Sequence, residues 1–167
     1  MEHRRAMRLS DPPQDNVSRR IDSPEAMARL GEAIAVALRP GEAVCLWGPL
    51  GAGKSTLARG LIRALTTAEE EVPSPTFTLV QAYVGERLRV AHFDLYRLTG
   101  AGEIDELGLD EALDEGAAVI EWPERLGGAL PRDRLDIEIS IPDHDNGRLV
   151  RIVPHGAWEG RRLESGT

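Results

Sequence analysis

Apolar side chains recur along this chain at two periods, and the change from one to the other marks out its elements. Met27, Leu30, Ile34 and Leu38 fall three or four residues apart, which puts them on one face of a helix. Asp22-Ser23-Pro24-Glu25 stands before them. Asp22 can accept from an orphan backbone amide, Pro24 is pre-set for a first turn, and Glu25 lies at the positive end of the helix dipole. Pro40-Gly41 then stops the helix. Residues 42–47 read as a buried strand that runs into Gly48. Leu57, Leu61, Ile62 and Leu65 predict a second helix.

Residues 76–84 and 88–94 read as two strands joined at Gly85-Glu86, hence a hairpin. Residues 117–122 form another apolar strand. Residues 135–141 alternate Leu and Ile with Asp136, Glu138 and Ser140, and residues 149–153 alternate in the same way. Asn146-Gly147 is the turn signal between those two. With a short strand at 17–21, the count reaches about seven. Strands interspersed with helices, together with two hairpins, predict an α/β fold with a mixed sheet flanked by helices. A single domain over residues 21–156 is expected, between a polar tail at 1–20 and a second tail at 157–167.

Composition removes several functions. Nineteen of the 20 basic residues are arginine, and the one lysine is Lys54. A guanine reader with an Asn-Lys-x-Asp motif as well as a phosphate-binding lysine therefore cannot be present in full form. The net charge of −8 disfavours a general nucleic-acid binder, whose affinity rests on neutralising phosphates. The one cysteine, Cys45, excludes an intrachain disulfide and fits a reducing compartment. No apolar run approaches the ~18 residues of a membrane span, and the arginine-bearing start has no apolar core of a secretory signal. A cytoplasmic protein with no membrane association is expected.

Gly48-Pro-Leu-Gly-Ala-Gly-Lys-Ser55 fits G-x-x-x-x-G-K-[ST], with an apolar strand before it and an amphipathic helix after it. This is the pattern of a P-loop NTPase. Gly51 and Gly53 let the backbone curl into an anion nest around Ala52, and the helix that follows adds its dipole. Lys54 is a compact charge for the β- and γ-phosphates. Ser55 offers a hydroxyl to Mg²⁺, and Thr56 can reach the α-phosphate. Such a site needs a carboxylate beside the metal and a group to orient the attacking water. Asp94 and Glu121 end two predicted strands, where open α/β sheets place ligands, and either suits either role. His92 shares a predicted strand face with Asp94; it reads equally as a residue that orders that carboxylate or as a satisfied core histidine. Pro73-Ser-Pro-Thr-Phe77, stiffened by two prolines, offers Ser74 and Thr76 as a switch for the γ-phosphate.

These segments resemble one family. Gly-x-Leu-Gly-Ala-Gly-Lys-Ser, Pro-Ser-Pro-Thr-Phe-Thr-Leu-Val, His92-Phe-Asp-Leu-Tyr-Arg97 and Glu121-Trp-Pro123 occur in order, as in the TsaE (YjeE) ATPases of bacterial tRNA threonylcarbamoyladenosine biosynthesis. The resemblance implies a small ATPase with a seven-stranded mixed sheet. It implies ATP and Mg²⁺ as ligands, TsaB and TsaD as partners, and contact with tRNA only through them, in the modification of adenosine 37. It assigns Gly51 to Thr56 to the nucleotide loop, Ser55 and Glu121 to Mg²⁺, and Asp94 to a Walker-B-like role. Lys54, Asp94 and Glu121 are then the catalytic set. Trp122 is the motif tryptophan, and Ser23 falls in a region near the base. Pro49 stands where the family often has an acid. A small-molecule kinase and a nucleotide-gated assembly factor with negligible turnover are the competing functions.

Nine acids and no base lie between Leu98 and Glu124. Taking those nine from 28 acids leaves 19 against 20 bases, so this stretch holds the whole net charge. Ile104, Leu107, Leu109 and Leu113 give it an apolar side, which predicts short helices with an acidic outer face.

Overall fold

The computed structural model describes residues 17–75, 79–143 and 146–163. Seven strands form one sheet: β1 (Val17–Ile21), β2 (Ala43–Trp47), β3 (Val80–Val84), β4 (Arg89–Asp94), β5 (Ala117–Glu121), β6 (Arg134–Ser140) and β7 (Arg148–His155). Four helices accompany them: α1 (Pro24–Ala37), α2 (Lys54–Leu65), α3 (Ala101–Glu106) and α4 (Leu109–Glu115). The strand order is β1-β7-β6-β2-β5-β4-β3. The four central strands run parallel, and the hairpins β3–β4 and β6–β7, together with β1 on β7, pair antiparallel. The expected mixed sheet is present.

Composition explains the layout. The central strands β2 and β5 read Ala-Val-Cys-Leu-Trp and Ala-Ala-Val-Ile-Glu. Such continuous apolar runs suit strands covered on both faces. Their residues alternate between two cores. Val44, Leu46 and Val119 pack with α1 and α2, whereas Ala43, Cys45, Ala118 and Ile120 pack on the other face with Phe93 and Leu109. The acidic stretch forms α3 and α4 as read. Asp136, expected on a polar outer face, is buried. Trp47 Nε1 donates to it at 2.9 Å, and Arg134 and His155 lie against the same carboxylate at 3.1 and 2.9 Å.

Two expectations are corrected at the ends of elements. The cap of α1 is Ser23, not Asp22: Ser23 Oγ accepts from the Ala26 N–H at 3.1 Å. Pro24 already occupies the first turn, so the capping position falls on its immediate neighbour, and Asp22 pairs with Arg20 instead. The tail expected from 157 is packed through the last described residues, with Leu163 against the core. Trp158 is buried, and the Arg161 guanidinium lies over its ring while forking onto both Glu42 carboxylate oxygens at 2.7 Å. That anchor joins residues 119 positions apart, which no local pattern announces. At the other end, β1 occupies Val17–Ile21 as read from the sequence, overlapping the last residues of the stretch expected as tail.

Helices α1 and α2 touch backbone to backbone. A Cβ on Gly60 would lie 2.4 Å from the Ala28 carbonyl oxygen, and one on Gly31 2.3 Å from that of Leu57. Gly60→Ala must therefore push the helices apart, although alanine is the better helix former. A loss of about 1–3 kcal/mol is expected, the usual cost of overpacking. The urea midpoint measures it, and an unchanged midpoint would contradict this packing. The contact matters for the site because α2 begins at Lys54.

Candidate functional site

Strand β2 ends at Trp47, the glycine loop follows, and α2 starts at Lys54. Gly48, Gly51 and Gly53 hold φ of 150°, 80° and 113°, a backbone course that L side chains rarely adopt. At Gly48 space is limiting as well, since a Cβ would lie 2.6 Å from the Ile139 carbonyl oxygen. Among the described residues no side chain caps α2, so its first-turn N–H groups and positive dipole end are left for an anion. Lys54 is 5% exposed. Its Nζ donates to the Gly48 carbonyl at 2.6 Å and lies 3.3 Å from the centre of the Trp122 ring. Burial pushes the ammonium pKa down, and Glu121, Glu124 and Asp94 pull it back up.

The two strand-end acids face one another in register: Asp94 on β4 is opposite Glu121 on β5. Strand alternation puts both on the α2 face, since Val90 and Val119 belong to that core. Ser55 Oγ donates to Glu121 Oε1 and Oε2 at 3.2 and 3.4 Å. Ser74 Oγ donates to Asp94 Oδ2 at 3.1 Å, and the Tyr96 N–H donates to its Oδ1 at 3.1 Å. Of the two readings of His92, the ordering of Asp94 is not the one the structure shows. His92 sits 2.7 Å from Glu121 Oε2, with both side chains buried. His92 pairs in register with Val119, so Glu121 is its diagonal neighbour on β5, and the two long side chains meet across the strands.

Trp122 follows Glu121 in a left-handed conformation, with φ 60° and ψ 50°, which is uncommon for a bulky residue. That turn carries the indole over Lys54. Tyr96 flanks it, with ring centres 4.9 Å apart. The loop and both acids enclose a cleft of ≈ 460 Å³ lined by Lys54, Ser55, Ser74, Asp94, Glu121 and Trp122 among others. A second cleft of ≈ 230 Å³ continues past Gly51, Gly53 and Thr56 to Ala52, Ser23 and Arg148. Every expected site residue among the described ones lines one of these clefts except Gly48, which meets the site through its carbonyl. Thr76 lies outside the described residues. The Ser23 hydroxyl already holds the α1 cap.

Among the described residues no three His, Cys, Asp or Glu side chains converge as a metal cage. Ser55, Glu121 and Asp94 supply hard oxygen atoms, a set that fits Mg²⁺, since that ion keeps several waters and takes one or two carboxylates plus phosphate oxygens. Sequence reading missed Arg97, which lines the larger cleft, and Arg148, which bonds the glycine loop across 96 and 97 positions. Arg97 sits in a segment that the motifs had already singled out. Nothing in the spacing marks Arg148. No described helix is long and apolar enough to cross a membrane.

The profile of the family described as "Threonylcarbamoyl adenosine biosynthesis protein TsaE" matches residues 21–150. The tRNA threonylcarbamoyladenosine biosynthesis protein TsaE of Rickettsia felis is 34% identical over 137 residues, covering 82% of this chain and 80% of that one. Its counterpart in Aquifex aeolicus is 39% identical over 133 residues, covering 79% and 92%. The crystal structure of YdiB from Bacillus subtilis superposes with a TM-score of 0.71 at 29% identity, covering 86% and 88%.

Proposed function

This chain belongs to the TsaE family, and from that premise we propose that it is a Mg²⁺-dependent ATPase serving tRNA threonylcarbamoyladenosine formation in the cytoplasm. The observation that carries the reading is the convergence of Lys54, Ser55, Asp94 and Glu121 on one cleft at the uncapped start of α2. The family's place in this tRNA modification comes with its relatives' names; the ATPase chemistry is inferred from the side chains.

The loop N–H groups and Lys54 bind the phosphates, and Ser55 with Glu121 or Asp94 would hold the metal. Bound there, Mg²⁺ would neutralise charge that grows on the phosphate oxygens. The carboxylate not committed to the metal orients a water for attack on the γ-phosphorus, whose bond to the bridging oxygen breaks to release ADP. His92 and Ser55 fix the Glu121 carboxylate, and Ser74 and the Tyr96 amide fix that of Asp94. The smaller cleft, with Ser23 at its wall, takes the nucleoside end. Trp122, poised over Lys54, stacks on or gives way to the incoming ligand.

The test is ATP turnover by the protein alone and with TsaB and TsaD, beside a panel of kinase acceptors. Stimulation by the two partners supports the reading; a phosphorylated acceptor overturns it in favour of a kinase. Nucleotide-dependent assembly without turnover would leave only a gating role. The acidic face of α3 and α4 is the expected docking surface for a basic partner. Reversing charge at Asp105, Glu106 and Glu111 should slow association with TsaB and TsaD at low salt and spare ATP binding. An unchanged on-rate would count against that surface.

A further inference from the structure

We propose that Arg148 is a positioning residue for the glycine loop, holding its amides ready for phosphate. The inference rests on the nucleotide-binding reading above. Arg148 opens β7 after the 146–147 turn, opposite Ile21 of β1. Its Nε donates to the Ala52 carbonyl at 3.1 Å and its Nη2 to the Gly51 carbonyl at 3.2 Å. Its Nη1 donates to the Asn146 and Gly147 carbonyls at 3.0 and 2.9 Å. One guanidinium thus ties two loop peptides to the turn at the start of a sheet strand.

The consequence follows from peptide geometry. A trans peptide is planar, with N–H and C=O pointing opposite ways. Holding a carbonyl on one side therefore aims the following N–H to the other. The Gly51–Ala52 peptide is fixed at both ends, because the Ala52 N–H donates to the Pro49 carbonyl at 3.2 Å. The Ala52–Gly53 peptide is held only by Arg148, and the Gly53 N–H, directed away from the guanidinium, meets no acceptor among the described residues. Gly53 sits at φ 113°, where glycine offers little resistance to rotation. Without the arginine that plane is free to turn, and ordering it falls to the ligand. The fixed guanidinium also adds a second positive charge to the loop, behind its backbone, besides Lys54. Lysine replaces it poorly, because an ammonium lacks the planar fork that spans several carbonyls.

The experiment measures ADP binding by calorimetry without metal, for the parent, Arg148→Met and Arg148→Lys, together with each apo protein's urea midpoint. The Kd for ADP is expected to rise on the order of tenfold in Arg148→Met, with lysine between, as for loss of charge-assisted bonds. With ATP as substrate, KM should rise by a larger factor than kcat falls. If Arg148→Met does not fold, Arg148→Lys alone carries the comparison. A lower midpoint with an unchanged Kd in the folded fraction would make Arg148 a structural strut and overturn the proposal. Parent that binds ADP alongside variants that bind equally well sinks this inference alone. Parent that binds no ADP sinks it together with the nucleotide-binding reading.

Discussion

Lys54→Ala is expected to lose the nucleotide-dependent stabilisation of the parent while folding as well as it does. With ligand at 100 times its Kd, the parent should gain about 2.7 kcal/mol. In a chain of this size that is a rise of roughly 5–10 °C in Tm. The variant should show none of it. Lys54 is the only lysine, and the other cation lining the larger cleft is Arg97, so no second ammonium can take its place. The apo protein should tolerate the loss for an electrostatic reason. Burial holds the Lys54 pKa below its ordinary value, so the folded state binds this proton less tightly than the unfolded chain. That is a cost to stability at neutral pH, and it fades as pH rises through the folded pKa toward 10.5. Alanine removes the cost, together with the bond to Gly48 and the contact with Trp122 that offset it. Parent stability should therefore climb more than that of the variant between neutral and alkaline pH. Thermal unfolding with and without ATP, across pH, reads both effects. A full ligand shift in the variant would refute the assignment of the loop.

The glycine loop was legible because its chemistry is local. Eight consecutive residues carry the glycines, the lysine and the hydroxyl, and the flanking strand and helix read from their own periods. The two acids were legible as strand ends. Which of them meets Ser55 and which meets Ser74 was not, because that depends on the register of β4 against β5 and on which face each strand end presents. The pairing of His92 with Glu121 is hidden for the same reason: sequence proximity favours Asp94, and only the register shows that Glu121 lies diagonally across from His92 on the neighbouring strand. Arg148 and Arg161 are more remote still. Each makes its decisive bonds about 100 positions away, and an arginine in an arginine-rich chain gives no sign of doing so. The left-handed turn at Trp122 had no signal either, since such turns normally announce themselves with glycine or asparagine.

Register also decides how the two acids should be separated by experiment. Glu121 is tied to Ser55 and His92, and Asp94 to Ser74 and the Tyr96 amide. On the ATPase reading, Ser55 is the hydroxyl at the loop, so we propose that Glu121 shares a metal with it and that Asp94, held by Ser74, orients water. Glu121→Gln is the informative change, because it keeps the shape and an oxygen for Ser55 while removing the charge. Glu121→Ala would also leave His92 without a partner among the described residues, where its Nδ1 already has none, and a buried polar group left unsatisfied costs about 1–3 kcal/mol. On the ATPase reading, Glu121→Gln should lower kcat by about 10²–10³, a loss typical of one electrostatic contact to the transition state. The Mg²⁺ concentration for half-maximal rate should rise, and metal-free ADP binding should stay within a few-fold of the parent. Asp94→Asn should lower kcat comparably with its Mg²⁺ requirement unchanged. If the Mg²⁺ requirement moves in Asp94→Asn and not in Glu121→Gln, the roles are reversed. If neither change slows turnover, the attack on the γ-phosphorus does not run through this pair.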